Sequence, residues 1–277
     1  MLHLVPRSAT ESEIKTILIP FDGISDADLQ FCNAYEEAEG KSIVFDVIRS
    51  DARNVSGKAK SWPWASTLEE FQSSASKKSL WRYTVSTTDG KVDKECMSNL
   101  QTSFGVINPA VNGKDYNYIY AAVGALGNEV TPPQGIGKIN VKTKVSSTWF
   151  PKEHEFCGEP MFAPRKQDGA VGEDDGYILS VLFNGEKKES DLLIFDAKSI
   201  QNGPIARMPL GVGIPHGLHG CFADSDECNW APDEIERRAK LADKMESRGN
   251  MWNEVKSDFS GLGLRLDDWD EYFGDIL

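Results

Sequence analysis

The chain has 277 residues, with 30 Lys and Arg against 43 Asp and Glu, a formal charge of −13. So acidic a balance excludes a nucleic-acid groove or an anionic membrane surface as the main partner, because both reward basic patches. Apolar residues make up 40% and charged residues 26%, the composition of a globular chain, and no apolar run is long enough to span a bilayer. The stretch Met1-Leu2-His3-Leu4-Val5-Pro6-Arg7 carries no basic segment followed by a long apolar one, so no secretory signal is expected. Cys32, Cys96, Cys157, Cys221 and Cys228 are odd in number and scattered, with no C-x-x-C spacing. Free thiols in an intracellular compartment, cytoplasm or plastid, are therefore expected.

Taken in order, the body reads as short strands between turn signals. Lys41 to Ile48 is β-rich and follows a turn at Glu39-Gly40. Leu80 to Ser86 alternates, and Asp89-Gly90 after it signals a hairpin. Tyr116 to Ala122, Gly137 to Thr143 and Met161 to Pro164 are further strand candidates. Tyr177 to Phe183 is almost continuously apolar, as a strand buried on both faces would be; Asn184-Gly185 turns it and Ser190 to Asp196 returns. Ile205 to Leu210 is a weaker strand. Gly135-Ile136-Gly137 and Gly211-Val212-Gly213 are expected as turns. Strands at this spacing predict an all-β sandwich, barrel or propeller. Two segments break the rhythm: residues 66–76 as a short helix or loop, and Pro232 to about Phe259 as a helix with a loose stripe at Ile235, Ala239, Ala242, Met245, Trp252 and Val255. That tail is expected to dock through its apolar stripe, or to bind a partner.

Motifs of nucleotide and acyl chemistry are missing: no phosphate loop, no dinucleotide fingerprint, no Gly-x-Ser-x-Gly elbow. The four histidines are His3, His154, His216 and His219. The last two lie in Ile214-Pro-His-Gly-Leu-His-Gly-Cys-Phe222, where Gly217 and Gly220 let the backbone approach a neighbour closely. An imidazole there is a candidate transition-metal ligand, provided an acceptor holds its other ring nitrogen.

Five blocks in order resemble one family. They are Phe156-Cys-Gly-Glu-Pro-Met-Phe-Ala-Pro-Arg165, Glu173-Asp-Asp-Gly-Tyr-Ile-Leu-Ser180, Leu192-Leu-Ile-Phe-Asp-Ala197, Gly203-Pro-Ile-Ala-Arg207 and Ile214-Pro-His-Gly-Leu-His-Gly220. His3-Leu-Val-Pro-Arg7, Asn33-Ala-Tyr-Glu-Glu37 and Val106-Ile-Asn-Pro109 add to them. Together they resemble the carotenoid cleavage oxygenases over residues 2–223. The resemblance implies a seven-bladed β-propeller, here its C-terminal blades, with residues 1–223 as the partial propeller and 224–277 as an acidic, partly helical extension. It implies Fe(II) held on the axis by four histidines from different blades, dioxygen chemistry at a conjugated double bond, an apolar polyene or stilbenoid substrate and peripheral membrane contact.

Carried over residue by residue, the resemblance makes His219 the last iron ligand and Glu159 the carboxylate that braces it. The preceding ligand position, three residues before Asn33, holds Gln30 instead of histidine. The carboxylate that would support that ligand is replaced as well, by Ser103 in Ser103-Phe104-Gly105. The first two ligands of the family lie upstream of the residues matched here. His219, rather than His216, is expected to face the axis, with His3 and His154 at the surface or between blades. Two functions follow: oxidative cleavage of a carotenoid, apocarotenoid or stilbene, incomplete or inactive in this chain, or a divergent non-catalytic member that binds an apolar ligand or a protein.

Overall fold

The computed structural model describes residues 2–4, 15–17, 29–50, 72, 76–125, 130–165, 172–214, 217 and 220–223. These fall in one compact unit, Met1–Phe222, apart from Ala223. Strands β1 (Leu2–Leu4) and β2 (Lys15–Ile17) form an antiparallel pair. The first blade follows with β3 (Leu29–Glu37), β4 (Ser42–Ser50), β5 (Lys78–Ser86) and β6 (Val92–Ser98), each hydrogen-bonded to the next. The second is β7 (Thr102–Val106), β8 (Tyr118–Gly124), β9 (Pro133–Asn140) and β10 (Ser146–Trp149). In the third, β11 (Glu155–Cys157) and β12 (Met161–Pro164) share the edge of β13 (Gly176–Asn184), followed by β14 (Glu189–Asp196) and β15 (Ala206–Pro209). All these pairings are antiparallel, and apart from β11 with β13 they join neighbours in sequence, so the blades are built as up-and-down meanders.

The turns obey local chemistry. Between β3 and β4, Ala38, Glu39 and Gly40 all take positive φ, 52°, 57° and 80°. Gly90 (φ 74°) closes the β5–β6 hairpin, with Asn-type side-chain help supplied by Asp89, whose Oδ1 accepts from Lys91 N at 3.1 Å. Asn184 Oδ1 likewise accepts from Glu186 N and Lys187 N, at 3.1 and 2.9 Å.

The blades stack face to face. Val44, Ile48 and Leu80 of the first blade meet Ile119, Ala121 and Ile139 of the second in one core. Tyr120 and Ile136, from the other face of the second blade, meet Ile178, Leu182, Leu193 and Phe195 of the third. Phe45, Val47 and Tyr83 turn the other way, toward Ile17, Leu2 and Leu4. Alternate residues of β4 and β8 thus enter different cores, which is why both strands are almost wholly buried. One polar group lies deep between the first two blades. The Asp46 carboxylate is fully buried and receives Arg82 Nε and Nη2 at 2.9 and 2.7 Å, together with the Tyr116 hydroxyl. Burial and the Asp46 charge raise the Tyr116 hydroxyl pKa.

Several expectations shift. β13 is not buried on both faces: Ile178, Ser180 and Leu182 are, but Tyr177, Leu179, Val181 and Phe183 are half-buried. No further sheet among the described residues stacks on that side. Gly135 and Gly137 lie inside β9 rather than in a turn. A Cβ at Gly135 would stand 2.3 Å from Trp149 O, and one at Gly137 2.7 Å from Val123 Cγ1; close strand packing, not backbone reversal, asks for glycine there. Gly211, by contrast, does turn, with φ 70°. No periodic signal predicts β1, β2, β3, β7, β10 or β11, and only the hairpin signal at Asp89-Gly90 announces β6. Of residues 66–76 only Gln72 and Ser76 are described, Gln72 as helical, and the expected tail helix lies outside the described residues. Cys32, Cys96, Cys157 and Cys221 are free thiols.

Candidate functional site

The inner strands of the three blades, β3, β7 and β11–β12, are each irregular near a common cavity. In β3 the register slips between Phe31 and Asn33, leaving Cys32 as a bulge. In β7 it slips between Ser103 and Val106, and Phe104 takes a left-handed φ of 56°. The third inner strand is interrupted by Gly158-Glu159-Pro160 between β11 and β12. Bulges release side chains and backbone amides from the ladder and re-aim them. Gly105 permits the close approach of the first two inner strands: a Cβ there would lie 2.4 Å from Cys32 Sγ and 3.0 Å from Ile48 Cδ1.

These irregular segments line one cavity of about 230 Å³, with Leu29, Gln30, Phe31, Phe104, Val106, Glu159 and Pro160 among its walls. Glu159 also lines a second cavity of about 140 Å³ with Met161, Val181, Phe183 and Ile214. Across the first cavity the Gln30 side chain, from β3, reaches β7: its Oε1 accepts the backbone N–H of Phe104 at 2.7 Å. The two positions at which the sequence departs from the family pattern, Gln30 and the triplet opened by Ser103, are therefore neighbours in space. Ser103 itself is buried and sits opposite Ala122 of β8.

Of the residues expected to form a ligand and its brace, Glu159 is at the cavity wall and His219 lies outside the described residues, as does His216. Gly217 and Gly220 are described, and both pack on the Glu159 carboxylate. A Cβ at Gly217 would stand 2.8 Å from Oε1, and one at Gly220 3.0 Å from it. Glycine at these two positions lets the backbone pass close to the carboxylate. His3 is exposed, with Nδ1 3.0 Å from Thr16 Oγ1, and His154 stands in a surface turn with φ 64°.

The cavity residues do not fit a four-histidine iron centre. A glutamine could offer a metal only its carbonyl oxygen, and in Gln30 that oxygen is engaged by Phe104 N–H. Its amide nitrogen is a donor and cannot ligate. Among the described residues no group of three or more His, Cys, Asp or Glu side chains is gathered closely enough to hold a metal ion. Burial raises the pKa of Cys32 and pushes that of Cys157 up to about 12, so both stay protonated thiols at neutral pH in the metal-free chain.

Several family-motif residues build the scaffold around the cavity instead. Asn33 joins the first blade to the second: its Nδ2 donates to Val111 O and Lys114 O at 3.3 and 3.2 Å, and its Oδ1 accepts from Gly113 N at 3.0 Å. Glu173 joins the second to the third, its carboxylate accepting Asn117 N, Asn117 Nδ2 and Tyr118 N at 2.7–2.9 Å, while Asn108 Nδ2 donates to its carbonyl at 2.8 Å. Asp174 pairs with Lys138 and Asp175 with Lys198, at 2.7 and 2.9 Å. The part that Cys32, Phe104 and Gly105 play in shaping the cavity is not legible in the sequence, because a bulge leaves no periodic signal.

Three stacked antiparallel blades whose inner strands open on one cavity define a β-propeller with its site at the inner edge of the sheets. The chain belongs to the carotenoid cleavage oxygenase family: the family model described as retinal pigment epithelial membrane protein matches residues 1–224. It is 32% identical over 228 residues to an apocarotenoid-15,15'-oxygenase of Synechocystis sp., covering 80% of this chain and 42% of that protein. It is 28% identical over 233 residues to the chromoplastic zeaxanthin 7,8(7',8')-cleavage dioxygenase of Crocus sativus, covering 82% of this chain and 58% of the relative. The crystal structure of cobalt-substituted Synechocystis apocarotenoid oxygenase superposes with a TM-score of 0.67 at 29% identity, over 80% of this chain and 43% of that one. The chain thus spans about half the length of the relatives it matches, and its sheets correspond to the C-terminal portion of their propeller.

Proposed function

We propose that this chain is a divergent carotenoid-oxygenase-family protein that receives an apolar, conjugated ligand at its inner-strand cavity and performs no Fe(II)-dependent cleavage by itself. The observation that carries this reading is the bond from Phe104 N–H to Gln30 Oε1 at 2.7 Å. It ties the one oxygen that the Gln30 position could offer a metal to the backbone of the triplet in which Ser103 replaces the supporting carboxylate, and it leaves no imidazole at that position. Ligand class follows the relatives, whose names specify apocarotenoid and zeaxanthin cleavage: a polyene or stilbenoid, with no nucleic acid. An intracellular, plastid-type location is in keeping with the chromoplastic Crocus relative. No helix among the described residues is long and apolar enough to cross a membrane.

Purified chain loaded with Fe(II) in air, incubated with an apocarotenal, is expected to leave the polyene absorbance unchanged beyond an iron-only control. Chain-dependent loss of absorbance that His219→Ala abolishes overturns the proposal. A second reading, Fe(II)-dependent cleavage with His219 as ligand and Glu159 as its brace, draws on the packing of Gly217 and Gly220 against Glu159; the same assay with its His219→Ala control decides between the two.

A further inference from the structure

We infer that the 230 Å³ cavity holds the hydroxyl end of an apolar ligand without any metal, with Gln30 as donor and Glu159 as acceptor. This rests on the reading of the cavity as a ligand site and adds which chemistry it selects.

Gln30 is a polarised group here. Its Oε1 faces Phe104 N–H, so the amide must turn its nitrogen the other way, and the carbonyl/amide ambiguity of a glutamine is settled by the fixed backbone donor. Nε2 meets no acceptor among the described residues, and the side chain lines the cavity. Two N–H donors are thereby held at one wall by a bond that costs the ligand nothing to form. The Glu159 carboxylate is at another wall of the same cavity and can only accept. A hydroxyl matches this pair, because it accepts from an amide and donates to a carboxylate at once. A carbonyl end would satisfy Gln30 but present a second acceptor to Glu159, and a hydrocarbon end would leave both unmatched. Leu29, Phe31, Phe104, Val106 and Pro160 add apolar side chains to the lining, with Gly105 and Gly220 contributing backbone. The volume is smaller than the roughly 300–1,000 Å³ of a pocket that encloses a whole ligand, so the cavity takes one end and the apolar body lies outside it.

The test uses the purified 277-residue chain, stripped of metal with EDTA, and reads quenching of tryptophan fluorescence. The probes are retinol, a polyene alcohol, and its deoxy hydrocarbon. Wild type is expected to bind the alcohol about tenfold more tightly than the hydrocarbon, the size of one well-made hydrogen-bonded pair. Gln30→Glu keeps an oxygen for Phe104 N–H but replaces the donor with a second acceptor. It should lose that preference, with its fold checked by near-ultraviolet circular dichroism. Gln30→Leu, checked by near-ultraviolet circular dichroism, should lose it too. Equal affinity for the two probes in wild type, no binding of either, or an undiminished preference in Gln30→Glu overturns the inference. Because no iron is present, the outcome is independent of whether the Fe(II)-loaded chain turns over.

Discussion

In the first two blades the middle strands β4 and β8 bury both faces, whereas the inner strands β3 and β7 pack on a neighbouring blade with some residues and face the cavity with others. β4 pairs with β5 in continuous register, β8 pairs with β9 in register from Tyr118 to Val123, and both β4 and β8 feed alternate side chains into two cores. The inner strands break register once each, at Cys32 and at Phe104-Gly105. The difference teaches that stability and chemistry are divided by strand position. Where every side chain is enclosed by a blade on each side, packing tolerates little change. Where one edge faces a cavity, the ladder can be broken to present an amide, a glutamine or a carboxylate.

The sharpest way to break the comparison is inside the first middle strand. Asp46→Ala strips a bidentate partner from the Arg82 guanidinium, whose side chain is only 14% exposed, and strands the Tyr116 hydroxyl. A loss of about 3–5 kcal/mol is expected, since removing one half of a buried pair leaves the other unpaired. Urea unfolding followed by fluorescence measures it; a loss below about 1 kcal/mol would mean that water reaches Arg82.

A smaller effect is expected on an inner strand. Gly105→Ala places a methyl 2.4 Å from Cys32 Sγ and should cost about 1–3 kcal/mol of overpacking strain. The combination with Cys32→Ala should recover part of it, because the clash then has no partner. Equal losses with and without Cys32→Ala would show that the close approach of β3 and β7 is not what requires glycine.

At the outer edge of the third blade, Arg207 donates to Glu155 at 2.7 and 3.3 Å and to Asp191 at 2.5 Å. The Arg207 bonds hold the Glu155 pKa below its ordinary 4.5. A depressed carboxylate pKa contributes stability that is present above about pH 4.5 and lost as the pH falls through the lower folded-state value. Since the Arg207 side chain is 37% exposed, the contribution is screened to about 1 kcal/mol. Glu155→Gln should therefore lower stability at neutral pH and flatten its decline in acid, as read from melting temperature against pH; an unchanged acid limb would remove Glu155 from the account. The smallest effect is predicted for Phe31, on β3 and 59% exposed. Phe31→Ala should change unfolding stability by no more than about 0.5 kcal/mol, although Phe31 lines the same cavity as Gln30.

The strands legible in the sequence are mostly the middle and returning ones. Leu80 to Ser86 and Ser190 to Asp196 carry the period-two or apolar signal that sheet packing imposes, and they match β5 and β14 within two residues. Tyr177 to Phe183 was legible as a strand but not as to its exposure, because the number of sheets stacked on β13 is not a property of β13. β3 and β7 escaped because a bulge interrupts the period and because Gln30, Asn33 and Ser103 serve cavity and inter-blade contacts rather than a core.

The sequence by itself determined the all-β character, the family, and the departures at Gln30 and Ser103, since these are matters of residue identity and order. Tertiary structure alone decided that the two departures are neighbours, 73 positions apart along the chain yet linked through Phe104 N–H and Gln30 Oε1 at 2.7 Å. It also decided that Glu159 shares the cavity of Gln30 and that Gly105 is required by Cys32 rather than by a turn. The physical reason is that blades stack through side chains far apart in sequence. Which inner-strand residues meet is set by that stacking and by the bulges, and neither leaves a mark in local periodicity.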